Sequence, residues 1–286
     1  MPTEENQQTR RGIYLLPNLL TTGALFAGFY AIVASMNGAF GAAALAVFIA
    51  MVLDGLDGRV ARLTNTQSAF GAEYDSLSDM VSFGLAPALV MYQWALVEMA
   101  DWGWFWAKLG WIAAFFYTAA AALRLARFNT KIGTADKRFF QGLPSPSAAA
   151  VMVGMVWVWH DLDFKGADLV IPALLITIAS GALMVSNFTY SSFKDMDFRH
   201  RVPFFVVLAL LVLFMLAALD PPKVLFAGFC IYAASGPALS LWRWRRKRLA
   251  RQAMQDEAAQ ETDGTTETAS SVDDEAAGGS SGAKSE

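Results

Sequence analysis

Apolar residues along this chain gather into long unbroken runs divided by short polar connections, and the length of each run carries the first structural inference. Eight runs stand out: Pro17 to Met36, Phe40 to Leu63, Ser76 to Leu96, Trp104 to Ala126, Ser145 to Trp159, Leu169 to Phe188, Pro203 to Leu219 and Lys223 to Leu241. A helix that crosses a bilayer needs about 20 such residues, so most of the runs are long enough, while the fifth and seventh are short. Because the runs are continuous and do not alternate in polarity, they predict helices rather than the strands of a membrane barrel. The expected fold class is all-α, a polytopic transmembrane helix bundle of about eight spans. Composition agrees: 55% of the 286 residues are hydrophobic and 16% charged, the balance of a membrane protein. The opening "MPTEENQQTRRGIYLLPN" has no small-residue cleavage site and precedes seven further runs, so no removable signal peptide is expected.

Basic residues orient the bundle. One set of connections carries Arg10 and Arg11, then Arg59 and Arg62, then Arg124, Arg127, Lys131, Lys137 and Arg138, then Lys194, Arg199 and Arg201, and finally "RWRRKR" from Arg243 to Arg248. The opposite set offers only Lys108, Lys165 and Lys223, accompanied by Glu98, Asp101, Asp161, Asp163, Asp168 and Asp220. Positive charge marks the cytosolic side, which puts both termini there and agrees with an even number of spans. The basic collar "RWRRKR" suits anionic headgroups, at about 1 kcal/mol per residue, and above all retains the topology. From Leu249 the chain turns to Ala, Gly, Ser, Thr and acid, with nine carboxylates against Arg251 and Lys284, a net of minus seven. Such a segment cannot bury enough apolar area to offset its ordering entropy and is expected to be disordered. The expected organisation is a cytosolic N-terminal segment over 1–14, a transmembrane domain over 15–242, and a basic collar with an acidic tail over 243–286. The single cysteine, Cys230, lies in the last run and allows no intrachain disulfide.

Against this apolar background the stretch Met51 to Gly84 holds five acids, Asp54, Asp57, Glu73, Asp75 and Asp79. If the second helix continues through Arg62, then Asp54, Asp57, Gly58, Ala61 and Arg62 share one face. Gly71, Asp75 and Asp79, spaced by four, share one face of the next helix. Two adjacent antiparallel helices would thus aim four aspartates at a common point. At 1.5 Å per residue Asp54 lies about 21 Å along its helix from Phe40, inside the membrane boundary and toward the cytosol.

Four carboxylates so placed cannot all stay ionised without a cation among them. Every ligand offered is an oxygen, with no His or Cys nearby, which selects Mg²⁺, Mn²⁺ or Ca²⁺ over zinc. Magnesium takes one or two carboxylates and completes its shell with phosphate oxygens, and a pair of such ions is a clamp for in-line displacement at phosphorus. Gly58, Ala61 and Gly71 on the same faces leave room for a bulky group, and Arg62 adds a planar cation suited to phosphate.

The run Asp54-x-x-Asp57-Gly58-x-x-Ala61-Arg62, eight residues, then Gly71-x-x-x-Asp75-x-x-x-Asp79 resembles the complete signature of the CDP-alcohol phosphotransferase family. The resemblance implies an integral membrane enzyme that moves a phosphatidyl or related group from a CDP-linked donor to an alcohol and releases CMP. It implies two divalent cations, Mg²⁺ or Mn²⁺ with Ca²⁺ a non-productive occupant, one held by Asp54, Asp57 and Asp75 and the other by Asp54, Asp75 and Asp79. Asp79 would also take the proton from the acceptor hydroxyl, and Gly58, Ala61, Arg62 and Gly71 would shape the CDP site. Family members are usually homodimers.

The choice of alcohol must come from elsewhere in the chain. "GAEYDSLSDMVSFGLAPA" (Gly71 to Ala88), "LRLARFN" (Leu123 to Asn129) and "FFQGLPSPSAA" (Phe139 to Ala149) resemble the phosphatidylserine synthase branch, and "LPNLLT" (Leu16 to Thr21) resembles the family's entry to its first helix. The branch implies eight spans in the cytoplasmic membrane, an active site facing the cytosol, and transfer from CDP-diacylglycerol to L-serine. A zwitterionic acceptor needs a cation for its carboxylate, and Arg124 and Arg127, spaced i, i+3, are the candidates. Both could instead snorkel to the headgroups. Arg138, Gln141 and Ser145 flank "GLPSP", where Pro144 and Pro146 are expected to stiffen a connection.

Two other readings stay open. Glycerol 3-phosphate or inositol phosphate could replace serine, though either should demand a richer basic cluster near Arg124. An ion-coupled transporter would also place acids in the membrane, but no internal repeat or matched pair of broken helices is visible. Most of the nine tryptophans, among them Trp94, Trp102, Trp104, Trp106, Trp157 and Trp159, fall near run ends and read as an interfacial belt. His160 reads as a solvated loop residue. No P-loop, dinucleotide fingerprint, Ser-His-Asp set or nucleic-acid module is present, so the expected partners are the two substrates, membrane lipids and a second copy of the chain, with no nucleic acid.

Overall fold

The computed structural model describes residues 4–130, 139–191, 204–240, 242, 244–246 and 248. Lys131, Lys137, Arg138, Lys194, Arg199, Arg201, part of the collar and the acidic tail lie outside these residues.

Every apolar run read from the sequence is mainly helical over its described residues, the sixth ending at Val185, short of Phe188. The helices are α1 (Glu4–Met36), α2 (Phe40–Leu63), α3 (Ala69–Asp79), α4 (Ala86–Trp94), α5 (Trp104–Thr130), α6 (Ser145–Asp161), α7 (Val170–Val185) and α8 (Phe204–Leu219). A ninth, α9, is helical over residues 221–240. Five helices are long and apolar enough to cross a membrane: Leu16–Met36, Phe40–Leu63, Trp104–Thr130, Gly166–Val185 and Pro221–Arg246. Ala69–Trp94 with Leu96–Trp102, bent by 41°, makes a sixth if the pair is one span. The remaining two runs form α6 and α8, of 17 and 16 residues. At 1.5 Å per residue these are about 25 Å long, short of a 30 Å hydrocarbon core. The chain is an integral membrane protein built as a helix bundle. By its contacts it divides into Met1–Pro237 and Ala238–Glu286.

Within the first unit, packing depends on small side chains. Ala24, Ala27, Ala31 and Ala34 of α1 are buried, as are Ala43, Ala44, Ala46 and Ala50 of α2, and the two helices pack along one another. Between lipid-soluble surfaces there is little hydrophobic drive, so close approach of backbones over small residues supplies the cohesion. Helix α6 is the buried centre, with Ala148 to Met155 enclosed on every face and α2, α4 and α7 packed around it. Large apolar residues such as Phe26, Phe29, Phe115 and Leu175 remain exposed on the outside, where a bilayer would cover them.

Four local features depart from the sequence reading. The third run, taken to begin at Ser76, starts seven residues earlier at Ala69, because Ser68 caps the helix by accepting the Gly71 N–H at 3.0 Å. The same run is not one regular helix: a π-helical turn, Met80–Leu85, joins α3 to α4. The buried Tyr117 hydroxyl of α5 donates to the Phe83 carbonyl within that turn at 3.0 Å. Pro146 lies in the first turn of α6, where a missing N–H costs no helix bond, rather than stiffening a connection, and Pro144 is the N-cap residue. Trp94 also leaves the expected interfacial belt; it is 4% exposed in the core, whereas Trp102, Trp104 and Trp106 are exposed.

The all-helical plan has one exception. Phe139–Gln141 (β1) and Thr189–Ser191 (β2) pair antiparallel, Phe139 opposite Ser191 and Gln141 opposite Thr189, tying the segment before α6 to the segment after α7. Gly142 follows at φ +82°, with its N–H donating to the Phe188 carbonyl at 2.9 Å. Burial pushes the Tyr190 phenol up to about 12, so it stays a neutral donor to the Ala233 carbonyl of α9, 2.9 Å away. Within the second unit the Arg246 and Arg248 guanidinium groups lie over the Trp242 and Trp244 rings at 4.6 and 5.6 Å.

Candidate active site

The C-terminal half of α2 and the length of α3 carry the acids, and both helices run without interruption through them. Helix α2 continues to Leu63, which keeps Asp54, Asp57, Gly58, Ala61 and Arg62 on one face; α3 does the same for Gly71, Asp75 and Asp79. The two faces converge. One oxygen from each of Asp54, Asp57 and Asp75 lies within 4.8 Å of the others. The Asp79 carboxyl is in hydrogen-bonding contact with that of Asp54. Glu73, the fifth acid of the stretch, is exposed and stands outside the group.

The surroundings of each acid differ. Asp57 is 4% exposed, and Thr21 of α1 donates to its Oδ2 at 2.8 Å. Asp75 Oδ1 is buried and has no hydrogen-bond partner among the described residues. A buried carboxylate oxygen without a donor is costly unless a cation meets it. The donor set is all oxygen, three carboxylates in mutual reach, which is the chemistry of Mg²⁺ or Mn²⁺ rather than zinc. The residues present therefore fit a divalent cation.

Beside the acids the helix surfaces are open. A Cβ added at Gly58 would meet no heavy atom within 4 Å, while one at Gly71 would approach Ser68 Oγ at 3.1 Å and Asn18 Oδ1 at 3.6 Å. Ala61 is half-buried and Arg62 exposed. On the far side, α5 brings up its two arginines. Arg124 Nη1 donates to Ser145 Oγ at 2.8 Å, its Nε is buried with no partner among the described residues, and its charge acts on Asp79. Arg127 Nη2 donates to Gln141 Oε1 at 2.6 Å and Asn187 Oδ1 at 2.8 Å, so it ties the last residue of β1 to the segment that leads into β2, at one end of the short ladder. Both guanidinium groups thus bond to neighbouring side chains of the protein.

Sequence reasoning missed the residues that support this arrangement. Thr21, Ser78, Ser82, Tyr117 and Tyr232 all lie in apolar helices and look like ordinary tolerated polar residues. Asn129 Nδ2 donates to Ser76 Oγ at 3.1 Å, a further tie between α5 and α3. A usable signal existed in the register: Asp75, Ser78, Asp79 and Ser82 fall at i, i+3, i+4 and i+7, one broad face, and its two serines donate to the Thr21 and Ala24 carbonyls of α1.

Fold and site together define a polytopic membrane protein with an acidic, cation-fitting centre. Residues 14–186 match the CDP-alcohol phosphatidyltransferase family, and the chain belongs to that family of membrane enzymes. The chain is 36% identical over 220 residues, 77% of its length and 90% of the relative's, to the CDP-diacylglycerol–serine O-phosphatidyltransferase of Helicobacter pylori. It is 40% identical over 154 residues to the protein of that name from Mycobacterium tuberculosis, covering 51% of each chain. A third relative of the same name, from Saccharomyces cerevisiae, is 36% identical over 146 residues, 46% of this chain and 50% of the relative. Family membership sets the transporter reading aside.

Proposed function

We propose that the protein transfers the phosphatidyl group from CDP-diacylglycerol to L-serine, giving phosphatidylserine and CMP. The observation that carries this reading is the convergence of Asp54, Asp57 and Asp75 within 4.8 Å, with Asp79 against Asp54. The relatives named for serine transfer support the choice of acceptor.

Asp54, Asp57 and Asp75 would hold one divalent cation, and Asp54, Asp75 and Asp79 a second. Bound there, Mg²⁺ or Mn²⁺ would neutralise the diphosphate and the charge that develops on departing CMP. Gly58, Ala61 and Gly71 admit the CDP group and Arg62 offers it a planar cation. Asp79 accepts the proton of the serine hydroxyl as its oxygen bonds to the diacylglycerol-bearing phosphorus and the bond to CMP breaks. Arg124, beside Asp79 with an unpaired Nε, receives the serine carboxylate, and Arg127 assists while fixing Gln141 and Asn187. Positioning and charge stabilisation make up most of the catalytic effect.

The arrangement in the cell follows the charge pattern. Eight spans in the cytoplasmic membrane, with α6 and α8 the short ones, leave both termini and the acidic centre facing the cytosol. Residues 1–14 and 243–286 flank a transmembrane domain over 15–242, and the working unit is a homodimer. The test is an acceptor panel: purified protein in detergent receives CDP-diacylglycerol, Mn²⁺, and L-serine, glycerol 3-phosphate or inositol phosphate in turn, with the lipid product identified by mass. Phosphatidylserine alone is expected. A phosphatidylglycerol phosphate or phosphatidylinositol phosphate product would replace the serine reading.

A further inference from the structure

Thr21 lies on α1, outside the acidic signature, yet it is bonded to both carboxylate-bearing helices. Its hydroxyl proton is shared between Asp57 Oδ2 at 2.8 Å and the Pro17 carbonyl at 3.1 Å, the carboxylate being the nearer acceptor. Its carbonyl accepts from Ser78 Oγ at 3.2 Å, one residue before Asp79. Thr21, Asp57 and Ser78 are 4%, 4% and 2% exposed, so water competes for none of these bonds.

The contact is held in register along α1. One turn on, Ser82 Oγ donates to the Ala24 carbonyl at 3.0 Å. A turn further, a Cβ at Gly28 would fall 2.7 Å from Ser82 Cα, so the two backbones touch there and α1 cannot slide along the segment that follows Asp79. The bond to the Pro17 carbonyl, four residues back, selects the rotamer in which the Thr21 hydroxyl also reaches Asp57.

We infer that Thr21 is a positioning residue that sets the spacing of the acidic centre. Its hydroxyl fixes Asp57 on one side, and its carbonyl, through Ser78, fixes the helix of Asp75 and Asp79 on the other. The inference rests on the reading of that centre as a divalent-cation site. With Oδ2 of Asp57 held by Thr21, Oδ1 is the atom left to face the cation. Loss of an outer partner of this kind costs about 10–100-fold in metal affinity.

The experiment is Mn²⁺ binding to the purified full-length protein in detergent, without lipid substrate, followed by electron paramagnetic resonance. Thr21→Val keeps the shape and the backbone carbonyl but removes the donor; it is expected to weaken Mn²⁺ at least about tenfold. Thr21→Ser restores the hydroxyl and is expected to bind close to the wild type, and the metal-free unfolding midpoints of the two variants are expected to match. Wild-type affinity in Thr21→Val, or equal loss in Thr21→Ser and Thr21→Val, would overturn the inference while leaving the cation site standing. Absence of Mn²⁺ binding by the wild type would overturn the site and the role of Thr21 together. Should Thr21→Val not fold, Ser78→Ala carries the same test from the other helix: weakened Mn²⁺ supports the coupling and unchanged affinity rejects it.

Discussion

Arg124 shows how much a single side chain can be asked to do in a site of low dielectric. Its guanidinium donates to Ser145, leaves a buried Nε unpaired and acts on Asp79, so it is oriented before any acceptor arrives. A charge-assisted bond to a substrate carboxylate is worth about 1.5–3 kcal/mol. Arg124→Ala should therefore raise the serine KM at least about tenfold with little change in the donor KM. Equal effects on both constants in steady-state kinetics would reject the carboxylate role. The acids themselves were legible: spacings of three and four put them on two faces, and the faces meet. Thr21 and Ser78 were not, because a hydroxyl in an apolar helix gains meaning only from the helix packed against it.

Helices in this bundle touch at glycines, and that is where an element-scale test bites. A Cβ at Gly166 would fall on the Trp94 carbonyl, a backbone atom that cannot step aside, whereas one at Gly228 of α9 would meet nothing within 4 Å. Overpacking costs about 1–3 kcal/mol. Gly166→Ala should thus lower the unfolding midpoint in detergent by about 3–10 °C, and Gly228→Ala should not lower it. Equal midpoints for the two variants would contradict the packing at the start of α7. Run lengths in the sequence located the long helices, yet the π-helical turn over Met80–Leu85 and the 41° bend beyond Trp94 lay inside or at the end of one apolar run, marked only by Pro87. Pro87 has no N–H to offer the Phe83 carbonyl four residues back, and the Tyr117 hydroxyl takes that acceptor, a partner 34 residues away that no propensity scale encodes.

For the molecule in its membrane, basic residues predict orientation and the acidic centre predicts chemistry. On a Cys230→Ala background, a membrane-impermeant maleimide applied to intact cells should label Lys165→Cys and should reach Gln67→Cys only after permeabilisation. Both positions are exposed, so the reverse pattern would invert the bundle. The central claim is that two carboxylate helices make a metal-dependent phosphatidyl-transfer site with Asp79 as base. The most direct test measures CMP release from CDP-diacylglycerol and L-serine by chelator-treated protein, before and after Mn²⁺ or Mg²⁺ is restored, in the wild type and in Asp79→Asn. The prediction is release by the wild type only with metal, and none above background in Asp79→Asn although it still binds the donor. Release without metal, or an Asp79→Asn variant as active as the wild type, would contradict it.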